Sequence, residues 1–168
     1  LFRSPGTYAE AIVIDKDITL TGAGSREDVI ITAPESTAAR GLTGGPTEAY
    51  ALTLMGADAQ ISDLTFTGEH SALLIHGGDP TLRNMYFLEV TEPFEGAANT
   101  DQNSVVIAGG SRATISDSLF ERSGPLGVYA SDPTVVSNTF EGGSHIWGRF
   151  GDHAVISDNH IDGALSMA

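Results

Sequence analysis

The hydrophobic positions of this chain recur at long range. Five segments, AQISDLTF, PTLRNMYF, ATISDSLF, PTVVSNTF and AVISDNHI, end in Phe66, Phe87, Phe120, Phe140 and Ile161. Those end points lie 21, 33, 20 and 21 residues apart, and 33 is one period plus an insert of about 12. A second set of landmarks, Leu54, Ile75, Ile107, Val128 and Gly148, keeps the register with spacings of 21, 32, 21 and 20. Self-similarity at a fixed period of this length marks a stacked repeat. Within each period apolar and polar residues alternate over short runs, so the runs are strands rather than helix turns.

One repeat, ALLIHGGDPTLRNMYFLE (72–89), shows how a coil is built. Leu73 and Ile75 point inward while Leu74 and His76 point outward. A Gly-Gly-Asp-Pro corner follows, Leu82 points inward, Asn84 makes a polar corner, and Phe87 points inward again. Three short strands per turn predict an all-β, single-stranded parallel β-helix, a solenoid of six to seven coils of roughly 21 residues. Its coils would stack at roughly 4.8 Å, the ordinary strand spacing. The first coils are less regular, with strands expected near Ile12–Ile14, Ile18–Leu20 and Val29–Ile31. Residues 35–50, with Gly44-Gly45-Pro46, read as a long loop, and TEPFEGAANTDQN (91–103) reads as an insert between coils. Later coils fall near 51–70, 71–90, 104–124, 125–145 and 146–165. Long loops on a rigid stack are common carriers of function.

The 168 residues suit a single β-helix domain, 1–168, expected to be a fragment or core of a longer protein. Each coil buries its apolar side chains against the next, so no globular core is required. Net charge is −14, and Lys16 is the only lysine. A surface so acidic argues against nucleic acid and anionic membranes as partners. No run of 18 apolar residues occurs, so no membrane insertion is expected. The chain has no cysteine, which excludes disulfides and thiol chemistry.

SPGTYAEAIVIDKDITLTGAG, residues 4–24, resembles the opening of right-handed β-helix proteins of the pectin-lyase-like superfamily, and especially of pectinesterase-type domains. The later coils are similar to carbohydrate-binding and sugar-hydrolase β-helix repeats, and to the β-helix proteins that assist nitrous oxide reductase maturation. The resemblance implies a right-handed coil and slightly favours an exported or cell-surface setting. It does not imply an activity, because the superfamily holds lyases, hydrolases, esterases, epimerases and non-enzymatic modules. The D-F-I-F-G, G-H-G, R-x-P-x-x-R and D-P-H-D signatures of its enzymes are absent. Asn99-Thr100-Asp101 reads N-T-D, yet it falls in the insert. Asp79-Pro80 and Asp132-Pro133 continue as threonine. Only LFRS precedes the P-G-x-Y pattern, so an N-terminal cap is expected to be missing.

Four constellations carry candidate chemistry. Asp63, Asn84, Asp117, Ser137 and Asp158 recur at one place in five coils, a turn ladder expected to bond neighbouring backbone groups. Calcium is the cation such a carboxylate column would take, although no metal site or cofactor is expected. Asp79, Ser111, Asp132 and Asp152 are read as a second corner column. On the outward face of one strand, Met55, His76, Ala108, Tyr129 and Arg149 form a column beside Thr53, Leu74, Val106, Gly127 and Trp147. There an aromatic ring could stack on a sugar, and Arg149 could bind a uronate carboxylate bidentately. The alternative is that the insert or a neighbouring segment covers this face. The histidines His70, His76, His145, His153 and His160 lack metal-ligand spacing. Met55 and His76, on adjacent rungs, are too few ligands for copper. Stacked acid pairs, which glycosidases need, are found only in the corner columns.

The resulting expectation is a non-catalytic β-helix module presenting a sheet face, with candidate ligand residues Met55, His76, Tyr129, Trp147 and Arg149, to a glycan or protein partner. One alternative is a lyase or esterase acting on uronate-containing polymers, with Arg149 neutralising the uronate and His76 or Tyr129 as acid–base group. Another is a structural segment of a larger surface or assembly protein, associating end to end through uncapped coils.

Overall fold

The structure is a computed structural model, which describes residues 2–33, 50–68, 71–90, 103–162 and 165–167. The loop at 35–49, His70 and the insert residues 91–102, including Asn99-Thr100-Asp101, lie outside the described residues. Three parallel sheets of seven strands each run along the molecule. They form the predicted parallel β-helix solenoid. Sheet A stacks Phe2–Arg3, Thr19–Gly22, Gln60–Ser62, Thr81–Arg83, Thr114–Ser116, Thr134–Val136 and Val155–Ser157. Sheet B stacks Gly6–Ala9, Val29–Thr32, Thr65–Gly68, Tyr86–Val90, Leu119–Glu121, Thr139–Glu141 and His160–Ile161. Sheet C stacks Ile12–Ile14, Leu52–Met55, Leu73–His76, Val105–Ala108, Leu126–Ser131, Ile146–Phe150 and Leu165–Met167. The two strands at Phe2–Arg3 and Gly6–Ala9 go beyond the sequence expectation, which began the solenoid at Ile12. Arg3 and Glu10, 2.6 Å apart, tie this first coil together.

The landmark residues pair in register. Leu54 faces Ile75, Ile75 faces Ile107, Ile107 faces Val128, and Val128 faces Gly148. The same holds for Phe66, Phe87, Phe120, Phe140 and Ile161 on sheet B. Four phenyl rings therefore stack inside the coil, with centroids 5.6, 4.5 and 4.4 Å apart and planes within 16°. All four are fully buried. A column of parallel rings satisfies the offset stacking geometry while each coil buries the ring below it.

Five coils bend from sheet A to sheet B at one residue. Asp63, Asn84, Asp117, Ser137 and Asp158 all have φ between 52° and 60°. This left-handed conformation disfavours residues with a β-carbon, and Asn and Asp tolerate it best. The turn ladder is thus a column of backbone bends. Asn84 Nδ2 donates to Asp63 Oδ1 at 2.7 Å, linking two bends. Immediately after them sits an inner polar column that the sequence reading did not single out. Ser118 N donates to Asn138 Oδ1 at 3.0 Å, and Asn138 N donates to Asn159 Oδ1 at 2.9 Å. Met85 N donates to Ser118 Oγ at 3.0 Å. These side chains satisfy buried backbone groups that the sheets leave behind at the corner.

Two consequences are measurable by urea denaturation. Phe120→Ala, which opens a gap between two stacked rings, costs about 3–5 kcal/mol of stability. Asn84→Ala costs about 1–2 kcal/mol. Asn84→Gly costs less, because glycine accepts the bend and loses only the side-chain bonds.

Candidate functional site

The sheet C face follows the predicted columns. Met55 pairs with His76 and His76 with Ala108. Thr53, Leu74, Val106, Gly127 and Trp147 pair in turn, and Tyr129 pairs with Arg149. The face is divided along its length. Leu74, Val106 and Ala108, although outward, are 4, 7 and 8 % exposed and cluster with Tyr50, apart from the main core. The middle of the face is therefore packed over, with Tyr50 and Tyr129 against it. Met55, 41 % exposed, lies on one side of that packing. The His76 ring lies over Gly109, where an added β-carbon would come within 2.9 Å of it.

On the other side, Tyr129 packs against the cluster and meets Trp147 edge to face, with centroids 5.5 Å apart and planes at 66°. Asn103 Nδ2 donates to the Tyr129 hydroxyl at 2.9 Å. Gly127 makes this approach possible, since a β-carbon there would meet Asn103 at 2.6 Å. Arg149, exposed, stands next to Tyr129. Among the described residues every other arginine pairs with a carboxylate: Arg3 with Glu10, Arg26 with Glu27, Arg83 with Asp117, Arg112 with Asp79, and Arg122 with Glu89 and Glu121. Arg149 is the exception. Tyr129, Trp147 and Arg149 are brought together, whereas Met55 and His76 sit beyond the packed-over middle.

The second corner column departs from its expectation. Asp58 N donates to Asp17 Oδ1 at 2.8 Å and Asp79 N to Asp58 Oδ1 at 2.7 Å. Arg112, not Ser111, occupies the next rung, donating through Nε to Asp79 Oδ1 at 3.1 Å. Its hydrogen bond lowers the Asp79 pKa below the ordinary carboxylate value. His153, not Asp152, follows Asp132, donating from its backbone N to Asp132 Oδ1 at 2.8 Å. The turn before Arg112 holds one residue more than the turn before Asp79, which displaces the column by one position. The carboxylates of this column are occupied by the neighbouring rung.

Stacked acids also occur outside the corners, which corrects the sequence reading. On the outer face of sheet B, Glu121 pairs with Glu141, and Asp162 N donates to Phe140 O, which sets Asp162 beyond Glu141. In-register like charges repel, and Glu121 is relieved locally. It accepts from the Tyr86 hydroxyl at 2.6 Å and pairs with Arg122 at 3.1 Å. That hydrogen bond, with burial second, pushes the Tyr86 pKa up to about 12. The Arg26 guanidinium lies 5.2 Å from the Tyr86 ring centroid, a cation–π contact. It also reaches Asn84 Oδ1 at 3.4 Å. The acids flank the repeat's Phe on alternate positions and were readable from it. Arg26 was not, because it comes from a short 3-10 turn, Arg26–Asp28, two coils earlier.

His145, His153 and His160 lie at different corners or sheets, as expected. Among the described residues no three His, Cys, Asp or Glu side chains gather into a metal-binding group, and no helix is long and apolar enough to cross a membrane. No protein-family model matches the chain, and neither the curated proteins nor the solved structures contain a match.

The Tyr86–Glu121 bond has a pH signature. Unfolded tyrosine titrates near pH ~10, and the folded group near 12. The contribution is complete below about pH 10 and fades as pH rises through about 12. Tyr86→Phe lowers stability near neutral pH by about 1 kcal/mol, discounted for partial exposure. It also removes this part of the alkaline loss, which denaturation curves across the alkaline range resolve.

Proposed function

We propose that this chain is a non-catalytic β-helix module that binds an acidic glycan on the outward face of sheet C, at Tyr129, Trp147 and Arg149. The observation that carries the reading is Arg149, the described arginine without an ion pair, beside an aromatic pair on a protein of net charge −14. Among the described residues no carboxylate forms an ion pair with this guanidinium, although the chain is strongly acidic. A uronate carboxylate would take both of its donors, and the faces of Tyr129 and Trp147 would carry the sugar ring. The pectinesterase-like opening at residues 4–24 supports a polysaccharide setting within the pectin-lyase-like superfamily.

Trp147 is the only tryptophan, so its fluorescence reports this patch alone. Titration with oligogalacturonate should shift or quench that emission, and Arg149→Ala should weaken binding about tenfold or more. Unchanged emission through millimolar ligand, together with calorimetric silence, would sink the reading.

A further inference from the structure

A second concavity lies at the corner between sheets A and B, away from the sheet C face. It is a cleft of about 390 Å³ lined by Arg26, Asp117, Leu119, Ser137, Thr139 and Glu141. A neighbouring hollow of about 360 Å³ lies against Ser62, Asp63, Arg83 and Asn84. Asp117 lines both, so the two hollows lie side by side along the column of left-handed bends and make a shallow corner groove.

The groove has one fixed wall and one open wall. On the fixed side, Arg26 is held by Asn84 Oδ1, by Met85 O at 3.5 Å and by the Tyr86 ring. Tyr86 is in turn held by Glu121, and Arg83 Nε donates to Asp117 Oδ2 at 3.0 Å. On the open side, the hydroxyls of Ser137 and Thr139 and the carboxylate of Glu141 make no side-chain hydrogen bond or ion pair among the described residues. Thr139 and Glu141 are two apart on one strand and share its outer face. Leu119 lies one rung from Thr139 and offers apolar surface beside it.

This mixture fits a polyol with an apolar face. Hydroxyls that both donate and accept would meet Ser137 and Thr139, acceptors would be supplied by Asp117 and Glu141, and donors by Arg26. The C–H face of a sugar ring would lie on Leu119. A carboxylate ligand is disfavoured, since the charges of Arg26 and Arg83 are matched by Glu27 and Asp117, and Glu141 and Asp63 add negative charge around the groove. We propose that this corner groove is a subsite for an uncharged hexose unit of a polysaccharide, independent of the acidic-glycan reading for sheet C.

The test is calorimetry and saturation-transfer NMR on the whole chain with neutral gluco-, manno- and galacto-oligosaccharides, alongside amino-sugar oligomers. Three variants are compared: Thr139→Trp, which fills the groove, Glu141→Ala, which removes an exposed acceptor, and Trp147→Ala, on the other face. Circular dichroism and thermal melts establish that each is folded. Expected is binding of a neutral oligosaccharide that Thr139→Trp abolishes, Glu141→Ala weakens about tenfold, and Trp147→Ala leaves intact. Silence with every neutral sugar, binding of amino sugars only, or neutral-sugar binding that survives Thr139→Trp overturns the proposal. Loss of neutral-sugar binding in Trp147→Ala also overturns it, by placing the ligand on sheet C.

Discussion

Everything in this molecule follows from rung-to-rung registry. A coil pairs with its neighbour along three sheets at once, so all three corners must advance the chain by the same rise. Backbone hydrogen bonds between coils enforce this, because a buried unpaired N–H or C=O is costly. A coil can lengthen only where the extra residues leave and rejoin at a corner. The 33-residue spacing between Phe87 and Phe120 keeps Phe on Phe with rings 4.5 Å apart, so the longer coil resumes in phase. Registry also turns each sequence position into a column. Phenyl rings stack inside, left-handed bends line one corner, and outward side chains form stripes that run with the axis.

That geometry explains why much of the fold could be read from the chain. Strand register on all three sheets, the inward phenyl column and the outward pairing of Tyr129 with Arg149 are direct outcomes of a period near 21. The readings that failed share a cause. Ser111 and Asp152 were placed by counting from a strand as though every corner had one length, and corners are where length varies. Arg112 and His153 take those rungs because their turns carry an extra residue. Phe2–Arg3 and Gly6–Ala9 were missed as strands because neither shows alternation long enough to register as a pattern, and only pairing with Thr21–Gly22 and Val29–Thr32 makes them strands.

The candidate sites divide the same way. Trp147 and Arg149 were legible on the outward columns, but the repeat did not show which outward residues are buried: Leu74, Val106 and Ala108 pack with Tyr50, which precedes the regular coils. Likewise, Glu121 and Glu141 follow from alternation about Phe120 and Phe140. Arg26 reaches Tyr86 and Asn84 from a 3-10 turn some 60 residues earlier, a contact of 58 positions in sequence that no local pattern encodes.

Charge placement then separates the two faces. With 22 acidic and 8 basic side chains, most cations are matched locally, and the described arginines other than Arg149 are committed to carboxylates. Exposed pairs of this kind add little stability, so their main effect is on what the surface offers a ligand. Where Arg83 and Arg26 are engaged with Asp117 and Glu27, the corner groove presents hydroxyls and carboxylates. Where Arg149 stands beside Tyr129 and Trp147 without an ion pair among the described residues, the face offers a cation and ring surfaces. A solenoid keeps such patches apart because its sheets face different directions, so one stack of coils presents chemically different surfaces on different sides.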